Sequence, residues 1–395
     1  MSDFVERPAP RHSGSFVTDP RFRAIAAQVI AAIAIIWLFW MLIGNARQNL
    51  AAQNIATGFG FFSQTAGFGI SQTLIPYAEG STYARAFVVG LLNTLLVSAL
   101  GIVFATIIGF TVGLARLSSN VLLARLGGAY VETLRNLPLL FQILFWYLAV
   151  LGTLPSPRER SPILGVVYFT SRGILMPRLE FGPGSAAIGV ALIVGTLLAL
   201  VLYLWARRRR AEGVLVSWRR FALLSVLGLP AVAFFAAGMP ISLDLPELRG
   251  FNFVGGLRVN PEFLALLFAL STYTAAFIAE IVRAGFLAVQ RGQWEAAYSL
   301  GLGRRSTLRL IIAPQSMRLI VPPLTSQYLN LTKNSSLAAA IGYPDFFYVF
   351  AGTTLNQTGQ AIEIVAVTMA VYLTISLITS AFMNWYNRAV ALKGG

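Results

Sequence analysis

The chain carries the stretch Gln293-Trp-Glu-Ala-Ala-Tyr-Ser-Leu-Gly301 and, after nine intervening residues, the stretch Ile311-Ile-Ala-Pro314. The Glu-Ala-Ala run predicts a short helix that lies close against a partner surface, because alanine adds little bulk. Gly301 is expected to end this helix in the left-handed conformation, which glycine adopts without strain. Pro314 is expected to begin the next helix, since proline is tolerated in a first turn. The pattern therefore indicates a compact turn between two helical segments.

This polar island, about residues 284–316, lies between two apolar stretches and contains several arginines. Cytoplasmic loops of membrane proteins are enriched in lysine and arginine, so we expect the island on the cytoplasmic side. A membrane protein with a compact cytoplasmic loop and no soluble domain of its own is expected to dock onto a partner that supplies one. The arginines in question are Arg291, Arg304, Arg305 and Arg309.

The spacing Glu295-Ala-Ala-x3-Gly301-x9-Ile311-x-x-Pro314 resembles the EAA loop of bacterial ABC importer permeases, although Ala313 stands where that family usually has leucine. The alternative is an ordinary loop with a Glu-Ala-Ala helix start, which leaves the match from Gly301 to Pro314 unexplained. The resemblance implies that a coupling helix in this loop sits in a groove of a separate ATPase. The residues it assigns to coupling are Glu295, Ala296, Ala297, Leu300, Gly301 and Pro314.

The composition indicates an integral membrane protein. Hydrophobic residues make up 56% of the 395 residues and charged residues 11%, whereas soluble globular proteins carry about 25% charged residues. The net charge of +15 does not indicate a nucleic-acid partner, because the basic residues lie between apolar runs. The absence of cysteine excludes disulfides and cysteine-based metal sites. His12 is the only histidine and lies in a polar tail, so we expect no catalytic or metal role for it.

Apolar runs of about twenty residues predict about eight membrane-spanning helices with both termini in the cytoplasm. The first run could instead be a signal peptide, but it is longer than the 7–15 apolar residues of such a segment. We therefore expect an uncleaved first helix. The eight predicted spans are residues 24–43, 86–114, 133–154, 186–205, 221–238, 262–283, 317–341 and 362–385.

The resemblance to importer permeases divides the chain into five parts. Residues 86–154 and 262–390 would form the five-helix core of the type I (MetI-like) importer fold, with the coupling loop at 284–316. Residues 1–23 would be a cytoplasmic tail, residues 24–85 an extra first helix with an outer loop, and residues 155–261 an inserted helical hairpin with loops. Such additions resemble the enlarged permeases of general L-amino-acid transport systems. Two shorter stretches, Arg135-Asn-Leu-Pro138-Leu-Leu and Leu329-Asn-Leu-Thr-Lys-Asn-Ser-Ser-Leu337, are also similar to signatures of amino-acid permeases.

Polar residues inside predicted spans are candidates for a substrate path, because each is costly to place in lipid. In the seventh span, Gln327, Asn330 and Asn334 recur at helical spacing, and Lys333 and Ser335 accompany them. This stripe is expected to face either the bundle interior or a water-filled path. In the sixth span, Glu280 could contact substrate, or it could form a structural ion pair with Arg283.

We therefore predict an all-α permease subunit of an ATP-driven importer for polar or broad-range L-amino acids in the bacterial inner membrane. The implied partners are an ABC ATPase dimer, a second permease subunit (identical or homologous), an extracytoplasmic amino-acid-binding protein and membrane lipid. The chain has no GxxxxGK[ST] phosphate loop, so ATP and magnesium are expected on the ATPase and no cofactor on this chain. The alternative is an ion-coupled secondary transporter, which would require intramembrane carboxylates and inverted repeats. A membrane enzyme would need a nucleophile or metal cluster that the sequence does not offer.

Overall fold

A computed structural model describes residues 20–52, 57–156, 166–211, 217–249 and 252–390, so most of the predicted tail at 1–23 lies outside the described residues. The described chain is mainly helical. Its helices are α1 (Pro20–Ala52), α2 (Tyr83–Ala115), α3 (Val121–Asn136), α4 (Leu139–Leu144), α5 (Ser185–Ala211), α6 (Trp218–Leu223), α7 (Leu229–Ala236), α8 (Pro261–Leu287), α9 (Arg291–Ser299), α10 (Arg304–Thr307), α11 (Ala313–Asn334), α12 (Leu355–Thr358) and α13 (Ala361–Val390).

Local sequence explains where the central helices begin. The Thr82 side chain accepts a hydrogen bond from the Arg85 N–H, which caps α2, and Asn120 caps α3 in the same way. Asn260 precedes α8, and Pro261 occupies its first turn, where the missing N–H is not needed. The predicted second and sixth spans therefore coincide with α2 and α8.

Helix α8 is the centre of the bundle, and more than half of its residues are buried. It packs most closely against α2 through glycines. A Cβ atom at Gly109 would lie 2.6 Å from the Ile278 side chain, and one at Gly113 would lie 2.8 Å from the Ala279 carbonyl oxygen. Small residues let membrane helices approach in this way, and the gain is van der Waals contact along the whole pair.

The predicted third span is broken rather than continuous. Helices α3 and α4 meet at Leu137 and Pro138 with a bend of 107°. The prediction of one continuous helix over 133–154 was wrong, because the residue before a proline is driven out of the helical conformation. Leu137 has φ −94° and ψ 130°, which is extended. After the bend, α4 continues as a π-helix over Phe145–Leu151.

The number of spans differs from the eight predicted. Among the described residues, six helices are long and apolar enough to cross a membrane, and α3 with α4 makes a seventh if the bent pair counts as one span. The predicted span at 317–341 corresponds to α11 followed by a 3₁₀-helix over Ser335–Ile341. It falls outside that set because α11 carries proline and several polar residues along its length.

The segment inserted between α4 and α8 contains two packed helical arms and short strands. Helix α5 packs against α6 and α7, and the Ser225 hydroxyl donates to the Gly195 carbonyl at 3.1 Å. Only loops were predicted beside these helices. In the described part, however, seven strands form three antiparallel sheets, ordered β1-β2-β7, β3-β4 and β5-β6. The strands are β1 (Tyr168–Thr170), β2 (Gly173–Met176), β3 (Arg178–Phe181), β4 (Ile241–Asp244), β5 (Glu247–Arg249), β6 (Asn252–Val254) and β7 (Leu257–Val259).

The loop before α2, residues 57–82, packs on the bundle through an aromatic cluster. Phe61 is buried and stacks on Phe62 with ring centroids 4.6 Å apart. Both contact Phe350, which comes from the segment between α11 and α13. Phe61 is 2% exposed, so this loop is packed on the bundle rather than spread along the membrane interface.

Candidate functional site

The short helix predicted at Glu295-Ala-Ala is present as α9, and Gly301 ends it in the left-handed conformation with φ +75°. The Leu302 N–H donates to the Ala297 carbonyl at 3.1 Å, and the Gly301 N–H donates to the Tyr298 carbonyl at 2.9 Å. These bonds close the last turn in the manner of a glycine-terminated helix. The role foreseen for Gly301 as a helix terminator is confirmed.

The side chains of α9 do not all face outward. Glu295 and Ala296 are exposed, and Leu300, just past the helix, is 79% exposed. Ala297 is 1% exposed, so it packs against this chain and cannot also face a partner groove. That part of the expectation was wrong, because α9 rests on α10 and on the helical turn that follows it. Tyr298 is 49% exposed and, with Leu300, forms an exposed apolar patch at the end of α9. It was not among the residues predicted from the sequence.

Pro314 lies in the first turn of α11, as predicted, but helical structure after the turn at Gly301 does not wait for it. Helical structure restarts earlier, at Arg304, and a π-helical turn over Leu308–Ile312 leads directly into α11. A proline in a helix removes one hydrogen bond and collides with the carbonyl four residues before it, and a π-helical turn relieves the conflict. The proline therefore widens the helix at the base of the coupling loop.

A side-chain hydrogen bond ties the coupling helix to the membrane bundle. The Gln315 Nε2 atom donates to the Gln293 Oε1 atom at 3.0 Å, which joins the start of α11 to α9. Together with the packing of Ala297, this contact connects α9 to the helical segment that leads into α11.

The polar stripe of α11 is only partly covered by the rest of the chain. Asn330 and Lys333 are exposed, whereas Gln327 and Asn334 are half-buried. Ser335 is buried, so it is not on the open face with the others. The residues that the structure brings together on an open face are therefore Asn330 and Lys333, one helical turn apart.

Glu280 is held by two arginines. Its Oε1 atom accepts from Arg283 Nη2 at 2.8 Å, and its Oε2 atom pairs with Arg116 at the end of α2. Both carboxylate oxygens are thus engaged, which favours the structural ion pair over the substrate role considered from sequence. The cluster holds the C-terminal ends of α2 and α8 together.

A second group of hydrogen-bonded polar residues involves α2. Its acidic member, Asp345, was not predicted from the sequence. Asp345 is 0% exposed, and its Oδ2 atom accepts from the Tyr372 hydroxyl at 3.3 Å. Asn93 Nδ2 donates to the Pro344 carbonyl at 2.8 Å, and Thr94 Oγ1 accepts from the Phe346 N–H at 2.9 Å. Asn93 and Thr94 of α2 therefore fix the segment between α11 and α13 through these hydrogen bonds. The sequence feature that could have revealed Asp345 is an acidic residue directly after Tyr-Pro in an apolar region.

The sequence that forms this helical bundle matches one known family. Residues 101–392 match the family described as the binding-protein-dependent transport system inner membrane component. The chain belongs to this family. Its members are membrane components of transport systems, which decides against the ion-coupled secondary transporter. The fold class predicted from sequence is confirmed, whereas the count of about eight spans is not.

Two relatives are similar over nearly their whole length. The General L-amino acid transport system permease protein AapQ of Rhizobium johnstonii is 48% identical, over 96% of this chain and 94% of that protein. The putative amino-acid ABC transporter permease protein YhdX of Escherichia coli is 50% identical, over 95% of both chains. A solved crystal structure of an amino acid ABC transporter with histidines is 20% identical, covers 78% of this chain and 95% of that chain, and has a TM-score of 0.46.

Proposed function

We propose that this chain is the permease subunit of an ATP-driven importer for L-amino acids. The observation that carries the proposal is the pair of relatives named as amino-acid permeases, 48% and 50% identical over at least 94% of each protein. The similarity extends through the inserted segment between α4 and α8, so it concerns the enlarged form of the permease and not only its core. ATP hydrolysis is assigned to a separate subunit, which would bind the ATP and magnesium.

The coupling loop is the surface proposed to contact the ATPase dimer. It presents Glu295, Tyr298 and Leu300 outward at the end of a helix whose base is fixed to α11. An apolar side chain as exposed as Leu300 on a cytoplasmic loop favours a protein partner, because burying it contributes about 1.5–3 kcal/mol. Movement of the ATPases would reach the membrane helices through α9 and α11.

The open face of α11 is proposed to line the substrate path and to meet a second permease subunit, identical or homologous. Asn330 and Lys333 are exposed in this chain, and polar groups that faced lipid there would destabilise the bundle. Water and protein are the remaining neighbours for them. A cationic group beside amides suits the carboxylate of an amino acid, and Gln327, Asn334 and Ser335 lie next to that face.

Replacing Lys333 by methionine, or Asn330 by alanine, is expected to lower amino-acid uptake by about tenfold or more. Removal of a charge from a membrane segment eases insertion by up to about 3 kcal/mol, so a fall in uptake would not reflect failed insertion. Uptake by reconstituted complex is the measurement, with assembly checked by gel filtration. Thr111→Ala serves as the control, because this exposed hydroxyl on α2 bonds only to its own helix. Uptake at the wild-type level in both variants would remove the stripe from the path.

The proposed localisation is the bacterial inner membrane, with both termini in the cytoplasm and the β-strands on the outer side. A binding protein that delivers amino acid would then meet the outer surface, opposite the coupling loop. The exposed apolar faces of α1 and α5 would contact lipid, and Arg207 to Arg209 at the end of α5 would lie near anionic headgroups.

A matched pair of serines tests this orientation in a chain without cysteine. Ser242 on β4 and Ser217 before α6 are both exposed. We expect Ser242→Cys to react with a membrane-impermeant maleimide in intact spheroplasts, and Ser217→Cys to react only after permeabilisation. Thr170, in the same outer region, is unsuitable because it is buried. Labelling of Ser217→Cys in intact spheroplasts would reverse the topology.

A further inference from the structure

A cavity of about 500 Å³ lies at the end of the bundle opposite the coupling loop. It is framed by the outer end of the π-helix after α4, the start of α8, the β1–β2 turn and the loop before α2. We call it the outer cavity. Its volume is in the range of small-molecule sites, and the lining residues that matter here are Tyr147, Arg258, Asn260, Glu262 and Gly342.

Arg258 and Glu262, which line the outer cavity together with Arg172, carry opposite charges and do not pair with each other. Arg258 and Glu262 stand four positions apart across the junction of β7 and α8, and no salt bridge within 4 Å joins them among the described residues. Arg258 uses its Nε atom to donate to the Arg172 carbonyl at 3.2 Å, which leaves the two terminal nitrogens of its guanidinium for other partners. A cationic and an anionic group at the wall of one cavity are complementary to a ligand that carries both charges.

The structure also orients the anionic group. Glu262 Oε1 accepts from the Tyr147 hydroxyl at 3.1 Å, which fixes the carboxylate relative to the π-helix. Asn260 Nδ2 donates to the Ser71 carbonyl at 3.2 Å, which ties the loop before α2 to the start of α8. Because its walls are joined by these bonds, the cavity is formed before a ligand arrives, and less ordering is required on binding.

The outer cavity adjoins the end of the helical segment that carries the proposed substrate path. Gly342 lines the cavity and ends the 3₁₀-helix that extends α11 beyond Lys333 and Ser335. A ligand in the cavity would therefore lie at the outer end of the helix whose polar face carries Asn330 and Lys333.

We infer that the outer cavity binds the ammonium and carboxylate groups that all zwitterionic amino acids share, with Glu262 facing the ammonium and Arg258 the carboxylate. This inference rests on the proposed function for the choice of ligand. Recognition of the common backbone leaves the side chain unselected, which suits a permease that accepts several amino acids. The cavity would hold the amino acid between its release from a binding protein and its passage along α11.

The test is equilibrium binding of radiolabelled L-alanine, L-glutamine and L-glutamate to the purified permease–ATPase complex, without binding protein or nucleotide. We expect Glu262→Gln and Arg258→Gln each to weaken binding roughly tenfold or more, since each removes a charged hydrogen-bond partner. Tyr147→Phe keeps both charges but removes the bond that orients the Glu262 carboxylate, so it should weaken binding by less than Glu262→Gln does. Glu247→Gln and Arg249→Gln are matched controls, because this exposed ion pair on β5 lies outside the outer cavity.

Ligand analogues test the assignment of each charge. N-acetyl-L-glutamine lacks the ammonium, so its binding should be indifferent to Glu262→Gln, and L-glutamine methyl ester lacks the carboxylate, so it should be indifferent to Arg258→Gln. Equal binding of the unmodified amino acids by wild type and both variants would overturn the inference. The inference would also be overturned if the variants lost affinity for the binding protein but kept their affinity for amino acids, because the cavity would then be a docking surface. Uptake by the wild-type complex is measured separately, so failure of the proposed function would be seen there and not in the variants.

Discussion

Replacing Leu300 by aspartate is expected to release the ATPase from this chain while leaving the membrane bundle folded. Leu300 is 79% exposed, so the substitution disturbs nothing inside the chain. In the complex it would lose about 1.5–3 kcal/mol of apolar burial and would leave a charge at the interface. Affinity should therefore fall by roughly tenfold to a hundredfold. The measurement is the amount of ATPase that co-purifies with the permease, together with uptake and substrate-stimulated ATP hydrolysis.

Two controls separate the apolar contact from other effects on the coupling loop. Ser299→Asp introduces the same charge one residue earlier on the same exposed surface and should retain more ATPase than Leu300→Asp. Gly301→Val should also weaken the complex, because a branched residue is strained at φ +75°. Gly303→Val adds the same bulk in equally open space at φ −67° and should have a much smaller effect. Full ATPase retention in Leu300→Asp would place the docking surface elsewhere.

Replacing Gly113 by leucine is expected to disrupt the bundle itself. A Cβ atom at this position would meet the Ala279 carbonyl oxygen and the Val282 Cβ atom, both at 2.8 Å. Neither backbone nor a β-branched side chain can move aside cheaply, so overpacking should cost about 3 kcal/mol or more. The change would also separate Arg116 from Glu280 one turn away. We expect the thermal midpoint in detergent to fall by roughly 10 °C, measured by size-exclusion chromatography after heating.

Gly189→Leu is the matched control for this effect. Gly189 lies inside α5, another apolar helix, but no atom lies within 4 Å of a Cβ at that position. It should retain a midpoint within a few degrees of the wild type. Equal midpoints for Gly113→Leu and wild type would mean that α2 and α8 are not held at this distance in the membrane.

The helices of the bundle could be predicted because a run of about twenty apolar residues has few alternatives to a membrane helix. The breaks within them were harder to see. Pro138 was consistent with a first turn, and only the extended backbone of Leu137 reveals the bend between α3 and α4. Similarly, Pro314 marked a helix start by its type, but the π-helical turn before it depends on how α10 packs under the bundle.

The coupling loop shows what a motif can and cannot convey. The conformation of Gly301 was predictable because glycine is the residue type that adopts the left-handed conformation without steric strain. The direction of Ala297 was not, since neighbouring alanines on a short helix are equivalent until the surface beneath them is known. Leu300 was assigned to coupling by the resemblance, whereas Tyr298 gained its significance only from its exposure, which a sequence does not state.

The outer side was the least predictable part. Strands of three or four residues carry too little alternation to be recognised, and their pairing joins segments far apart in the chain, as with β2 and β7. Arg258 and Glu262 come together with Tyr147 only after that pairing, so no local pattern could group them.

The aromatic cluster over the outer end of the bundle has a consequence for biosynthesis. Phe61 and Phe62 leave the ribosome early, yet they pack on Phe350, which is made almost three hundred residues later. Gly58 similarly donates its N–H to the Glu363 carboxylate, 305 positions away. Residues 57–82 therefore lack these partners until the last helices have been synthesised. Their packing marks the completion of the subunit, and a nascent chain that stops before Phe350 leaves Phe61 and Phe62 without the ring they pack on.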